Sequence, residues 1–295
     1  MLHYLPIIIM YILFASTFTL GKAALAYIAP LLFISCRMIF AGSLLLAYSY
    51  IKEKKNFLTT HNNYWLFAQI ILFHIFFAYN FEFLALTHIA SATVCLAYNL
   101  SPFFSALFAY VFFNETLSKK QIAGLIVGFL GFIPLFFPEL VSAQKLSHYD
   151  LLLVLAVASS AYGWIIMKQL MNKGYSFIFI NGVAMFGGGL LTLIASYSTE
   201  HASLIAEPVT NSIMAASFYG LLLIGISNIL CYNLYGYLLM RYSPTLLSFF
   251  GLLTPLFAAL FGLLFLHETV SFSFFLTLFT LFFGLYLFSN KRSVD

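Results

Sequence analysis

Four ionisable side chains stand inside apolar stretches of the chain: Lys22, Arg37, His74 and Glu82. A charge at the centre of a membrane helix costs roughly 2.5–3.5 kcal/mol by insertion scales, so each needs an ion partner, a ligand or a path to the headgroups. Lys22, Arg37 and Glu82 could form a structural ion cluster, or they could touch a substrate or coupling ion. His74, Ala78 and Glu82 are spaced i, i+4, i+8 on one helix face, which suits a proton relay. A lone membrane histidine also serves as a packing residue that bridges helices. The amides Asn80, Asn99, Asn181, Asn228 and Asn233 can line a polar cavity or bridge helices, and Tyr79, Tyr98, Tyr162 and Trp164 can supply its amphipathic walls.

Bond-making chemistry has little to stand on. The chain has no H-E-x-x-H, no G-x-S-x-G, no Cys/His metal cluster and no glycine-rich phosphate loop. No cofactor, no metal and no enzymatic activity are therefore expected. Cys36, Cys95 and Cys231 all lie in apolar runs and read as small packing residues.

The elements that must position these groups are set by composition. Of 295 residues, 63% are hydrophobic and 7% charged, where a soluble domain carries about 25% charged residues. The chain is expected to be an all-α integral membrane protein, because apolar runs near 20 residues without strict alternation suit helices rather than a barrel. Ten spans are expected, near 5–26, 31–50, 64–85, 90–113, 121–138, 149–168, 176–197, 212–236, 242–266 and 272–289. The first lacks a basic leader and reads as a retained helix, with neither end carrying a soluble domain.

With the N-terminus inside, Lys52, Lys54, Lys55, Lys119, Lys120, Lys168, Lys173, Arg241, Lys291 and Arg292 fall on the cytoplasmic side and Lys145 outside. The bias fixes an N-in, C-in expectation. It also removes nucleic acid as a reading of the net charge of +4.

The stretch Tyr79 to Gly131 recurs 153 positions later at Tyr232 to Gly284 without a gap. Tyr79-Asn80 matches Tyr232-Asn233, Pro102 matches Pro255, Ala106-Leu107-Phe108 matches Ala259-Leu260-Phe261, and Glu115-Thr116 matches Glu268-Thr269. The copies begin five spans apart, an odd number, so they enter the membrane from opposite sides. Such inverted repeats build alternating-access transporters. The expected units are 1–141 and 142–295, each of five helices. Pro102 and Pro255 should kink their helices. The small-residue stripes Ala92, Cys95, Asn99, Pro102, Ala106, Ala109 and Thr245, Ser248, Leu252, Pro255, Ala259, Gly262 should meet along a central seam.

This pattern resembles the drug/metabolite transporter superfamily, specifically its EamA-type ten-helix members, over essentially the whole chain. The mid-helix Pro and helix-end Glu-Thr of both copies carry the resemblance, with Lys22 late in span 1 and Arg37 early in span 2. The chain departs where the family usually has a tryptophan, reading Phe14-Ala15-Ser16, and has Thr277 in place of a glycine. The resemblance implies a secondary transporter of a small metabolite, an amino acid or derivative leaving the cell, or alternatively an S-adenosylmethionine or nucleotide-like importer or exchanger. A small-molecule substrate, a coupling proton and the lipid bilayer of a bacterial inner membrane are the expected partners, in a monomer or homodimer. A membrane-embedded enzyme or a scaffold is the competing class.

Overall fold

The computed structural model describes residues 5–52, 63–113, 118–131, 133, 147–200, 209–239, 241, 247 and 250–289. Their regular structure is helical throughout, with no strand among the described residues. In chain order the elements are α1 (Leu5–Ala24), α2 (Pro30–Lys52), α3 (Tyr64–Leu86) and α4 (Ser91–Ala97 and Ser101–Phe113). They continue with α5 (Lys119–Leu130), α6 (His148–Asn172), α7 (Phe177–Thr199), α8 (Val209–Leu239), α9 (Thr254–Leu266) and α10 (Phe272–Ser289). Seven helices among the described residues are long and apolar enough to cross a membrane. Leu193, Ile194, Phe275, Phe279 and Phe283 are exposed, as side chains that face lipid must be.

Local chemistry starts and interrupts these helices. Ser118 with Gln121, and Ser147 with Asp150, form reciprocal capping boxes at α5 and α6, and the Ser176 hydroxyl caps α7. α3 widens into a π-helix over Ile70–Phe77, and α8 does so over Ile224–Cys231. These two segments occupy nearly equivalent places in the repeat, each ending just before its Tyr-Asn. α4 tightens into a 3-10 turn over Tyr98–Leu100, and Pro102 then sits second in the next segment; Pro255 sits second in α9. The backbone breaks ahead of each proline, where the ring removes a donor and crowds the preceding turn.

The long-range packing joins helices from the first and second parts of the chain, with α3 on α6 and α1 on α9 among the extensive pairs. α2 lies along α7, α4 against α9, and α5 against α10. Glycines permit the closest approaches: a Cβ on Gly42 would stand 2.4 Å from the Phe186 backbone nitrogen, and one on Gly284 2.8 Å from that of Gly128. Cys95 of the first small stripe packs with Ala258 of α9 and Ala15 of α1, and Ser91, next to that stripe, meets Gly262 of the second. Thr245 and Ser248 of the second stripe, the side chain of Ala109, and Glu115-Thr116 lie outside the described residues. So do Lys54, Lys55, Lys145, Lys291 and Arg292 of the basic loops.

Candidate functional site

Two clusters gather most of the singled-out residues. The first is at the helix-terminal end shared by α1, α4 and α9. His267 takes a left-handed conformation (φ 53), and the Glu268 N–H closes the end of α9 on the Gly262 carbonyl at 3.1 Å. This reversal ends the helix on a left-handed residue other than the usual glycine. It aims the Glu268 carboxylate at the start of α4. There it accepts the Ser91 N–H at 3.0 Å and the Ser91 hydroxyl at 2.6 Å, and pairs with Lys22 at 2.9 Å. Lys22 also donates to the Ile89 carbonyl at 2.7 Å. A carboxylate at a helix N-terminus satisfies an orphan donor and meets the positive end of the dipole. Burial alone would raise the Glu268 carboxyl, but the Ser91 hydrogen bonds and Lys22 outweigh it and hold it below its ordinary value. Glu200 does similar work at α2, accepting the Leu31 and Leu32 N–H groups at 2.8 and 3.0 Å.

Lys22 therefore pairs with Glu268 and not with Glu82, so the expected three-residue ion cluster divides. A single carboxylate that also caps a helix is a better-solvated partner for an ammonium than one buried beside tyrosines.

The second cluster surrounds the π segments. Widening the helix adds a residue per turn and turns the following tyrosine towards the interior. Tyr79 and Tyr232 meet there, hydroxyl to hydroxyl, at 2.5 Å. The Arg37 guanidinium is buried, with its carbon 5.2 Å from the ring centres of both Tyr79 and Phe83 and 5.9 Å from that of Phe33. Glu82 is buried too, its Oε2 accepting the Tyr98 hydroxyl at 2.5 Å. Arg37 and Glu82 are not within ion-pair distance of each other.

On the other side of the tyrosine pair is an aromatic bank. Trp164 lies 5.7 Å from Tyr232 with nearly parallel rings, 5.1 Å from Tyr235 and 4.8 Å edge-on from His74. Phe14 of α1 borders it, 6.2 Å from Tyr232. His74 thus faces Trp164 and Tyr232, while Glu82 faces Tyr98. The sequence spacing put His74 and Glu82 on one face, and the π turn between them changes that register.

Among the described residues, several buried polar atoms have no hydrogen-bond partner: Nε and Nη2 of Arg37, both ring nitrogens of His74, the whole Asn181 amide and Oδ1 of Asn228. Native interiors satisfy nearly all such atoms, so each of these exceptions needs an explanation. Among the described residues, the Asn228 amide donates to the sulfurs of Met38 and Met185, at 3.3 and 3.7 Å. Asn181, one turn from Phe177 and one from Met185 on α7, is wholly buried.

Other singled-out residues have local duties. Asn99 donates to the Cys95 and Leu96 carbonyls at 3.4 Å each, where the 3-10 turn breaks the helical ladder. Asn80 accepts from Thr192 at 3.1 Å. Tyr162 donates to Gln69 at 2.5 Å. Asn233 donates to the Ile229 carbonyl at 2.6 Å and borders a separate apolar groove with Leu44, Tyr48 and Leu234, because it follows the inward Tyr232 by one helix step. Sequence reading passed over Tyr232, Tyr235, Gln69, Ser91 and Glu268 as site residues. The repeat carried a signal for two of them, since Tyr232 is the copy of Tyr79 and Glu268 the copy of Glu115.

The family model described as the EamA-like transporter family matches residues 1–137 and 148–290. The chain is 34% identical over 267 residues to a protein of Chlamydia trachomatis serovar L2 named S-adenosylmethionine/S-adenosylhomocysteine transporter, covering 87% of this chain and 80% of that one. It is 33% identical over 264 residues to the protein of the same name from Chlamydia muridarum, covering 87% and 82%. A solved crystal structure superposes with a TM-score of 0.61 at 17% identity over 96% of each chain, a likeness of fold.

Proposed function

Because the chain belongs to the EamA-like transporter family, and is a multi-pass membrane transporter of a small molecule, we propose that its cargo is S-adenosylmethionine and S-adenosylhomocysteine, exchanged by alternating access. The named chlamydial relatives point to this cargo, which is itself an amino-acid derivative. The observation in the molecule that carries the reading is the aromatic bank of Trp164, Tyr232, Tyr235, His74 and Phe14 beside the repeat's own tyrosine pair. A sulfonium cation is attracted to aromatic faces, and a purine stacks on them.

The proposed frame has ten spans in two inverted halves, 1–141 and 142–295, with both termini in the cytoplasm of a bacterial inner membrane. The packing of α2 on α7, α4 on α9 and α5 on α10 supports it, since elements related by a two-fold axis meet their own copies. So does the matching of the family model in two stretches. The two halves rock about the Tyr79–Tyr232 pair. Exchange of one cargo for the other needs no coupling proton.

Uptake of labelled S-adenosylmethionine by cells expressing the chain tests the cargo. Saturable uptake, chased out by external S-adenosylhomocysteine and absent from control cells, is expected. Uptake equal to that of controls, with the protein present in the membrane, would reject it.

A further inference from the structure

We propose that Arg37 and Glu82 form the subsite for the amino-acid head of the cargo: Arg37 takes the carboxylate and Glu82 the ammonium. The assignment rests on the cargo reading above and adds to it which chain groups hold which cargo group.

Among the described residues Glu268 is engaged by Lys22 and Ser91, Glu200 by the start of α2, and Asp150 by the α6 cap. Glu82 is left, and it is not within ion-pair distance of Arg37. Arg37 is only 3% exposed, yet no described residue accepts from Nε or Nη2. Those two atoms form one edge of the guanidinium, the edge that grips a carboxylate with two parallel hydrogen bonds. The rings of Tyr79, Phe83 and Phe33 surround the cation within 6 Å and leave that edge without an acceptor.

Glu82 is held by the Tyr98 hydroxyl on Oε2, and no described residue donates to Oε1. The free carboxylate oxygen and the free guanidinium edge are thus a complementary pair of charges too far apart to satisfy each other. A zwitterionic head, with ammonium and carboxylate on one carbon, bridges such a gap. Tyr79 contacts Arg37 through its ring and Tyr232 through its hydroxyl, and Tyr232 stacks near Trp164. The head subsite is therefore contiguous with the aromatic bank that takes the adenosyl and sulfonium end. S-adenosylmethionine and S-adenosylhomocysteine carry the same head, so the subsite serves both.

The test is competition against labelled S-adenosylmethionine counterflow in proteoliposomes. Competitors are S-adenosylhomocysteine, decarboxylated S-adenosylmethionine and 5′-methylthioadenosine, which lacks the head. Wild-type protein is expected to prefer S-adenosylmethionine over its decarboxylated form by on the order of 10- to 100-fold, the scale of charge-assisted hydrogen bonds. Arg37→Gln should erase that preference while leaving 5′-methylthioadenosine as effective as before. Glu82→Gln should weaken S-adenosylmethionine, its decarboxylated form and S-adenosylhomocysteine together, since all carry the ammonium, and spare 5′-methylthioadenosine. If Arg37→Gln does not reach the bilayer, Arg37→Lys, which keeps the charge but not the fork, should narrow the preference. No preference in wild-type protein, or equal weakening of every competitor in the Arg37 variants, overturns the subsite while leaving the cargo reading intact. Absence of S-adenosylmethionine counterflow in wild-type protein rejects the cargo reading and this subsite with it.

Discussion

Tyr79 and Tyr232 occupy the same place in the two copies of the repeat, 153 residues apart, and their hydroxyls hydrogen-bond to each other at 2.5 Å. In the proposed two-fold arrangement, a residue that touches its own copy lies beside the axis, where rocking of the halves displaces it least. Each tyrosine follows a π-helical segment in its own helix, so both copies use the same distortion to reach the contact.

The pair should therefore behave as one unit. Tyr79→Phe and Tyr232→Phe each remove one hydroxyl and should cost about 1 kcal/mol in stability. The double variant should cost little more than either, a coupling on the order of 0.5–1 kcal/mol. Thermal unfolding of the purified variants measures this directly, and additive losses would show that the hydroxyls act separately.

At the end of α9, Glu268 ties α1, α4 and α9 together through Lys22 and Ser91. Burial would raise its carboxyl, and the Ser91 and Lys22 hydrogen bonds with the Lys22 charge lower it further than that, to a net depression. A depressed folded value means stabilisation that is complete above the unfolded value of about 4.3 and is lost as pH falls through the folded one. Glu268→Gln should lower the melting temperature at pH 7, and the difference from wild type should shrink as the buffer is taken below about pH 4. A difference independent of pH would exclude the charge as its source.

The proposed cargo fixes a charge balance. S-adenosylmethionine carries one net positive charge at neutral pH and S-adenosylhomocysteine none, so a one-for-one exchange moves one charge. A membrane potential of 100 mV is worth about 2.3 kcal/mol on that charge, roughly a 50-fold gradient. Proteoliposomes with an inside-negative potassium diffusion potential should therefore accumulate S-adenosylmethionine against internal S-adenosylhomocysteine. Rates and plateaus indifferent to the potential would mean that a compensating ion travels too.

Gly163 sets the approach of α6 to α3 beside His74. A Cβ there would stand 2.6 Å from the His74 Cβ and 2.7 Å from its Cα, atoms that cannot swing aside. Gly163→Ala should cost about 1–3 kcal/mol by overpacking and should slow exchange by moving Trp164 against Tyr232. Gly225, where an added Cβ meets nothing within 4 Å, provides the control: Gly225→Ala should leave exchange unchanged.

Much of this frame was legible in the chain. The constant offset announced the equivalence of Tyr79 with Tyr232 and of Pro102 with Pro255, and intramembrane charge singled out Lys22, Arg37 and Glu82. The partner of Lys22 was not legible. Glu268 lies 246 positions away, and only the reversal at His267, in an uncommon left-handed conformation, brings it to Ser91. The π segments were not legible either, because runs such as Ile70–Phe77, apolar except at His74, carry no clear period to read. Asn99 announced polarity without its purpose, which is to satisfy carbonyls at a break in its own helix. Asn114, the copy of His267 and of a type that tolerates the left-handed region, lies outside the described residues together with Glu115.

The central claim is carriage of S-adenosylmethionine in exchange for S-adenosylhomocysteine, and counterflow in proteoliposomes of purified protein tests it most directly. Liposomes loaded with S-adenosylhomocysteine should take up external labelled S-adenosylmethionine in a transient, saturable overshoot. Liposomes loaded with buffer, or lacking protein, should not. Equal uptake in loaded and unloaded liposomes, from protein shown to be folded, would contradict the account.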